Sequence, residues 1–157
     1  MPDGPRYDED FYAWTQHQAA VLRSVEVADN RFDREHVAEE IEDLGKSQRD
    51  AARSQIRRIL EHLLKLAHSP AQPPRFGWIE TIRDARQTLS DIISPSLSHE
   101  MQAQLDRLYA DARKRAEASL REYGEPAAAA VIPQICPYLL DDICREDWYP
   151  DRPSTGP

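Results

Sequence analysis

The sequence predicts an all-α protein: a bundle of about four long helices, closed by a proline-rich C-terminal tail that carries one short helix. Three observations predict it. Apolar residues recur at three- and four-residue steps over long stretches, the helical period and not that of a strand. The twelve prolines fall in clusters that separate those stretches and so mark the joints. No segment alternates apolar and polar residues between turn signals, as a half-buried strand would.

The first run, about residues 8–28, sets Phe11, Trp14, Leu22 and Val25 on one broad face. Asp8, Glu9 and Asp10 lie at its start, where the helix dipole favours negative charge. The second opens after Phe32 with Asp33 as N-cap. Its seam is Val37, Ile41, Leu44, Gln48, Ala52, Ile56, Ile59, Leu63 and Leu66, and it can run to His68 before Pro70, Pro73 and Pro74 end it. Gly45 marks residues 45–47 as the place where this helix would kink or break, because glycine costs about 1 kcal/mol relative to alanine inside a helix. The third helix carries Trp78, Ile82, Ala85, Leu89 and Ile92 and stops near Ser94-Pro95. The fourth runs from Ser96 through Leu97, Met101, Leu105, Leu108, Ala112, Ala116 and Leu120 to Tyr123, where Gly124 suits a left-handed position after the helix and Pro126 cannot continue it. Beyond it Pro126, Pro133, Pro137 and Pro150 interrupt short apolar pieces, and one short helix is expected near 138–145.

A chain of 157 residues, 40% hydrophobic and 31% charged, has the size and composition of one folded domain. The expected layout is a single domain over 1–157, with an ordered core at about 7–150 and a flexible tail at 151–157. The net charge of −8 argues against broad attraction to nucleic acid or anionic lipid. That charge is uneven: residues 1–50 hold 13 acids and 6 bases, residues 51–90 hold 3 and 7, and residues 91–157 hold 12 and 7. A basic middle between acidic ends is satisfied most simply by packing among its own acidic neighbours. Cys136 and Cys144 are too few and wrongly spaced for a disulfide framework, so the expected compartment is the reducing cytoplasm with both thiols free. No basic-then-apolar leader opens the sequence and no window reaches the apolar length of a membrane helix, so secretion and membrane insertion are not expected.

Several ordered motifs carry a resemblance over nearly the whole chain. They are Tyr7-Asp8-Glu9-Asp10-Phe11-Tyr12-Ala13-Trp14-Thr15 to Leu22-Arg23, Glu39-Glu40-Ile41-Glu42 to Gly45, and His62-Leu63-Leu64-Lys65. Trp78, Ile82, Arg83 and Arg86 follow, then Pro95-Ser96-Leu97, Cys136-Pro137-Tyr138 and Asp147-Trp148-Tyr149-Pro150. The sequence resembles the bacterial family known as domain of unknown function twenty-nine. That resemblance implies a helical fold in a bacterial protein and supplies no activity to transfer. His36 stands where the family more often has Asn, Gly77 where Ser is usual, and Leu139 where Ser or Thr would cap the short terminal helix. Leu139 cannot accept the free N–H groups at that helix start.

The most chemical-looking cluster is His36, Glu39, Glu40 and Asp43, joined by His62 from farther along. Glu40, Asp43 and His62 are the candidate metal ligands or catalytic groups, since bundle cores do hold metals with such side chains. No HExxH pattern and no paired Glu-x-x-His accompany them, and the run from Glu39 to Asp43 reads more simply as a solvated helix face. His62 beside the apolar stripe reads more simply as a hydrogen-bonded structural histidine, with Glu40 or Asp43 as the candidate partner. Arg49, Arg53, Arg57 and Arg58, with Lys65, Arg83 and Arg86, form a basic stripe that could meet phosphates, but no helix-turn-helix pattern supports nucleic-acid binding. Cys136 reads as a small buried hydrophobe. No motif calls for a cofactor. The leading expectation is a cytoplasmic module that binds a protein partner or a second copy of itself, with Arg49, Arg53, Arg57, Arg83, Arg86 and Trp148 as its candidate interaction surface. The observation behind it is the polar stretch from Lys46 to Gln55, which interrupts the seam of the long second helix.

Overall fold

The computed structural model describes residues 3–153, and among them there are seven helices and no strand. They are α1 (Phe11–Ser24), α2 (Arg34–His68), α3 (Arg75–Ile92), α4 (Pro95–Ala103), α5 (Leu105–Glu122), α6 (Pro126–Ala130) and α7 (Leu140–Cys144). Of the expected flexible tail, residues 154–157 lie outside the described residues. No described helix is long and apolar enough to cross a membrane.

The organising element is α2, whose 35 residues make a rod about 52 Å long. Asp33 caps it as expected, accepting the His36 N–H at 3.3 Å. Its N-terminal half packs on α1 and its C-terminal half on α3 and α5. Of the two courses the sequence leaves open at Gly45, α2 takes the unbroken one. Gly45 is buried against α1, and a Cβ there would overlap Thr15 Oγ1 and lie 2.7 Å from Gln16 Nε2. The missing side chain is therefore what lets two helices touch: Thr15 and Ala19 of α1 face Ala38 and Gly45, all of them buried. Gln16 Nε2 ties the contact by donating to the Glu42 carbonyl at 3.1 Å.

This close packing also corrects the seam. Val37 and Leu44, expected inside, are 36% and 57% exposed, because α1 sits on the adjoining row of small residues. From Ala52 onward the expected seam holds, and Ile56, Ile59, Leu63 and Leu66 are buried with Leu60 and Leu64. These join Ile82, Leu89, Met101, Leu105, Leu108 and Tyr109 in one hydrophobic cluster. At about 1.5–3 kcal/mol per large apolar side chain, that cluster dominates the stability of the fold. It begins at Ala52, so the α1–α2 arm stands outside it.

α1 is shorter than the expected 8–28. Asp10 caps it, its carboxylate accepting the Ala13 N–H at 3.0 Å, and the chain turns extended at Val25. The same carboxylate accepts the Ser96 N–H at 2.8 Å and the Ser96 hydroxyl at 2.6 Å, which ties the start of α4 to that of α1. The expected fourth helix is in fact two. Gln104 leaves the helical region at φ −103°, ψ 4°, and its N–H is shared between the Glu100 and Met101 carbonyls. No Pro or Gly marks that break, which allows α4 to follow α1 and α2 while α5 follows the core half of α2. α5 ends as expected: Gly124 has φ +81°, with Glu125 N–H donating to Leu120 O and Gly124 N–H to Arg121 O, the paired bonds of a Schellman cap.

The tail is strapped down, as expected, but carries two short helices. α6 went unforeseen because five residues beginning with Pro126 show no full apolar period. α7 matches the expectation near 138–145, and Leu139 supplies no side-chain cap to it. Ile132, Tyr138, Leu140 and Ile143 are buried, and Tyr109 donates its hydroxyl to Pro133 O at 2.6 Å.

Candidate interaction surface

Geometry separates the candidate metal ligands. Because α2 is unbroken, Glu40 and Asp43 stand about 30 Å along its axis from His62, a distance no single ion spans. Glu40 and Asp43 are exposed near one end, and among the described residues no group of three or more His, Cys, Asp or Glu side chains gathers as metal ligands do. His62 is half-buried, and its Nδ1–H donates to the Arg58 carbonyl one turn earlier at 2.8 Å, so neither Glu40 nor Asp43 holds it. Burial pushes its pKa down, against the pull of that carbonyl, which keeps the ring neutral at pH 7.

The basic stripe is largely paired, partly within α2 and partly across to α4 and α5. Arg49 meets Asp50 at 3.3 Å and the Tyr12 hydroxyl of α1. Arg53 meets Asp50 at 3.1 Å and Glu100 of α4 at 3.4 Å, and Arg57 lies 3.8 Å from Asp111 of α5. These part-buried pairs contribute roughly a few tenths of a kcal/mol each, and Arg53–Glu100 and Arg57–Asp111 tie α2 to α4 and α5. Arg83 is exposed on α3.

Arg86 and Trp148 are not free surface. Arg86 is 4% exposed and donates Nε to Ile143 O at 2.9 Å, Nη1 to Glu146 O at 3.1 Å and Nη2 to Asp142 O at 3.2 Å. Carbonyls at a helix C-terminus lack partners and carry partial negative charge, and Arg86 satisfies both needs for α7 while lying 5.2 Å under the Tyr149 ring. Trp148 is half-buried on the core, edge-on to Tyr138 at 5.4 Å. Arg75, which sequence reasoning missed, does the same for α2, donating to Leu66 O at 2.9 Å and Ser69 O at 3.1 Å. The hint was an arginine directly after the proline joint, where only a turn back onto the preceding helix could bury it.

Among the described residues, Phe76, Tyr123, Val131, Ile135 and Leu139 are exposed singly on α3 and the C-terminal third, and one face of α2 and the tip of the arm are open as well. Successive residues on a helix turn by about 100°, so Glu40, Leu44, Ser47, Ala51, Ser54 and Arg58 lie within about 40° of one line. All are exposed except half-buried Ala51. At the tip Val21, Val25, Val27 and Phe32 are each at least 40% exposed. Exposed apolar groups collected on one element commonly mark a contact surface.

An all-α architecture built on one long helix, with a two-helix arm and a strapped tail, defines the class. The chain belongs to the family described as Domain of unknown function DUF29, which it matches over residues 6–149. It is similar to the crystal structure of an α-helical protein of unknown function from Rhodospirillum rubrum, with 29% identity, a TM-score of 0.83 and 93% of each chain covered. No curated protein matches it. Neither the family nor this neighbour has an assigned function.

Proposed function

We propose that the protein is a cytoplasmic self-associating helical module whose contact surface is the open face of the α1–α2 arm. The observation that carries this reading is the phase of α2. Its arm half turns Ala38 and Gly45 inward and leaves Val37 and Leu44 outside, so the larger apolar side chains face away from the protein's own core. Two packed helices rarely bury enough surface to be stable alone, and a further helix against the arm would add to what α1 provides. A second copy brings such a helix. The free thiols Cys136 and Cys144 accord with a reducing compartment.

The test is molar mass in solution by light scattering. Wild-type protein at about 100 μM should run near twice 18.0 kDa, and Leu44→Asp should shift it toward the monomer without altering helical content. A wild type that stays monomeric at that concentration ends the proposal.

A further inference from the structure

Resting on that self-association, we infer that the second copy lies antiparallel along α2, with Glu40 of each copy opposite Arg58 of the other. Eighteen residues separate these two, which is five whole turns and about 27 Å, so they project along one line of the helix. Between them the line carries Leu44, Ser47, Ala51 and Ser54. Small side chains at the middle allow two helix axes to approach to about 8 Å, the near end of the packing range.

Charge selects the direction. Among the described residues, Arg58 has no ion pair, whereas Arg49 and Arg57 each have one and Arg53 has two. Glu40 likewise has none, while its neighbour Glu42 is held by Arg23 and Lys46. A parallel pair would set Glu40 against Glu40 and Arg58 against Arg58. An antiparallel pair, with its two-fold axis at the height of Ser47–Ala51, sets each acid against a base, twice by symmetry.

The same register gives the arm tip somewhere to go. Phe32, at the start of the arm, then faces the level of Lys65 in the other copy. There the space between the C-terminal end of α2, the proline joint and α5 forms a cavity of about 500 Å³ lined by Lys65, Pro73, Pro74, Trp78, Leu120 and Tyr123. Lys65 lies within about 20° of the Glu40–Arg58 line but is only 7% exposed, so it lines this cavity where the proline joint and α5 close the far end of the open face. Phe32 and Tyr123 are 43% and 80% exposed in the single chain, and the pairing covers both.

Sedimentation equilibrium on four proteins tests the register: wild type, Glu40→Arg, Arg58→Glu and the double exchange, each checked by circular dichroism for unchanged helix content. Each single change places like charges together at two symmetric points and should weaken the dimer about tenfold or more, and the double should return to within about threefold of wild type. Phe32→Asp should also weaken it. A wild-type dimer that both single changes leave intact, or a double variant no tighter than the singles, overturns the register and leaves self-association standing. A monomeric wild type removes both.

Discussion

Substituting Gly45 by alanine separates helix propensity from tertiary packing, because the two predict opposite signs. In an isolated helix the change is favourable by about 1 kcal/mol. In this fold the new Cβ would overlap Thr15 Oγ1 and approach Thr15 Cβ at 3.1 Å. Thr15 has no room to yield: it is fully buried and its hydroxyl donates to Tyr12 O at 2.7 Å. Relief requires breaking that bond or sliding α1 outward, and such overpacking costs about 1–3 kcal/mol, here near the upper end because a buried hydrogen bond goes with it. The net expectation is a loss of about 2 kcal/mol, read as a lowered urea midpoint in helical circular dichroism. Thr15→Ala combined with Gly45→Ala removes the overlapping hydroxyl, so the double variant should be more stable than the two single losses sum to by about 1–2 kcal/mol. A Gly45→Ala protein as stable as wild type, or more so, refutes the close contact between α1 and α2.

Arg86→Met strips the hydrogen bonds from three tail carbonyls and should cost about 3 kcal/mol, with protease cleavage appearing between Val131 and Leu139 before the rest of the chain is cut. Asp10 is pushed toward the protonated form by burial, but hydrogen bonds from Ser96, Ala13 and Ser94 outweigh this and hold its carboxyl below the usual value. A lowered folded pKa contributes stability that is full above about pH 4 and is lost as pH falls through the folded value. Unfolding curves from pH 5 to 2 should therefore fall more steeply for wild type than for Asp10→Asn, and parallel curves would count against the double cap. Burial pushes the Tyr109 phenol up to about 12, so its contribution is full below about pH 10 and is lost as pH rises toward 12. Tyr109→Phe should lose about 1 kcal/mol at pH 7 and show a shallower decline between pH 10 and 12.

Local chemistry sufficed for much of the fold. The 3.6-residue stripes located α2, α3 and the α4–α5 stretch, Asp33 and Gly124 marked helix ends through their own capping groups, and the prolines placed the joints after α2, α3 and α5. The ordered motifs from Tyr7 to Pro150 placed the chain in its family. What the sequence could not decide were matters of which neighbour a residue meets. Gly45 reads locally as a weak point, and only the approach of α1 makes it a contact. Val37 and Leu44 belong to a regular seam, and only the adjoining row of small residues turns them outward. Arg86 looks like part of a basic surface until tail carbonyls some 56–60 residues later close around it. Periodicity and capping act within one or two turns of chain and are therefore written in the order of residues. Burial, helix azimuth and ion pairing are settled between segments far apart in sequence, so in this protein the tertiary structure alone chose the face of α2 that was left open.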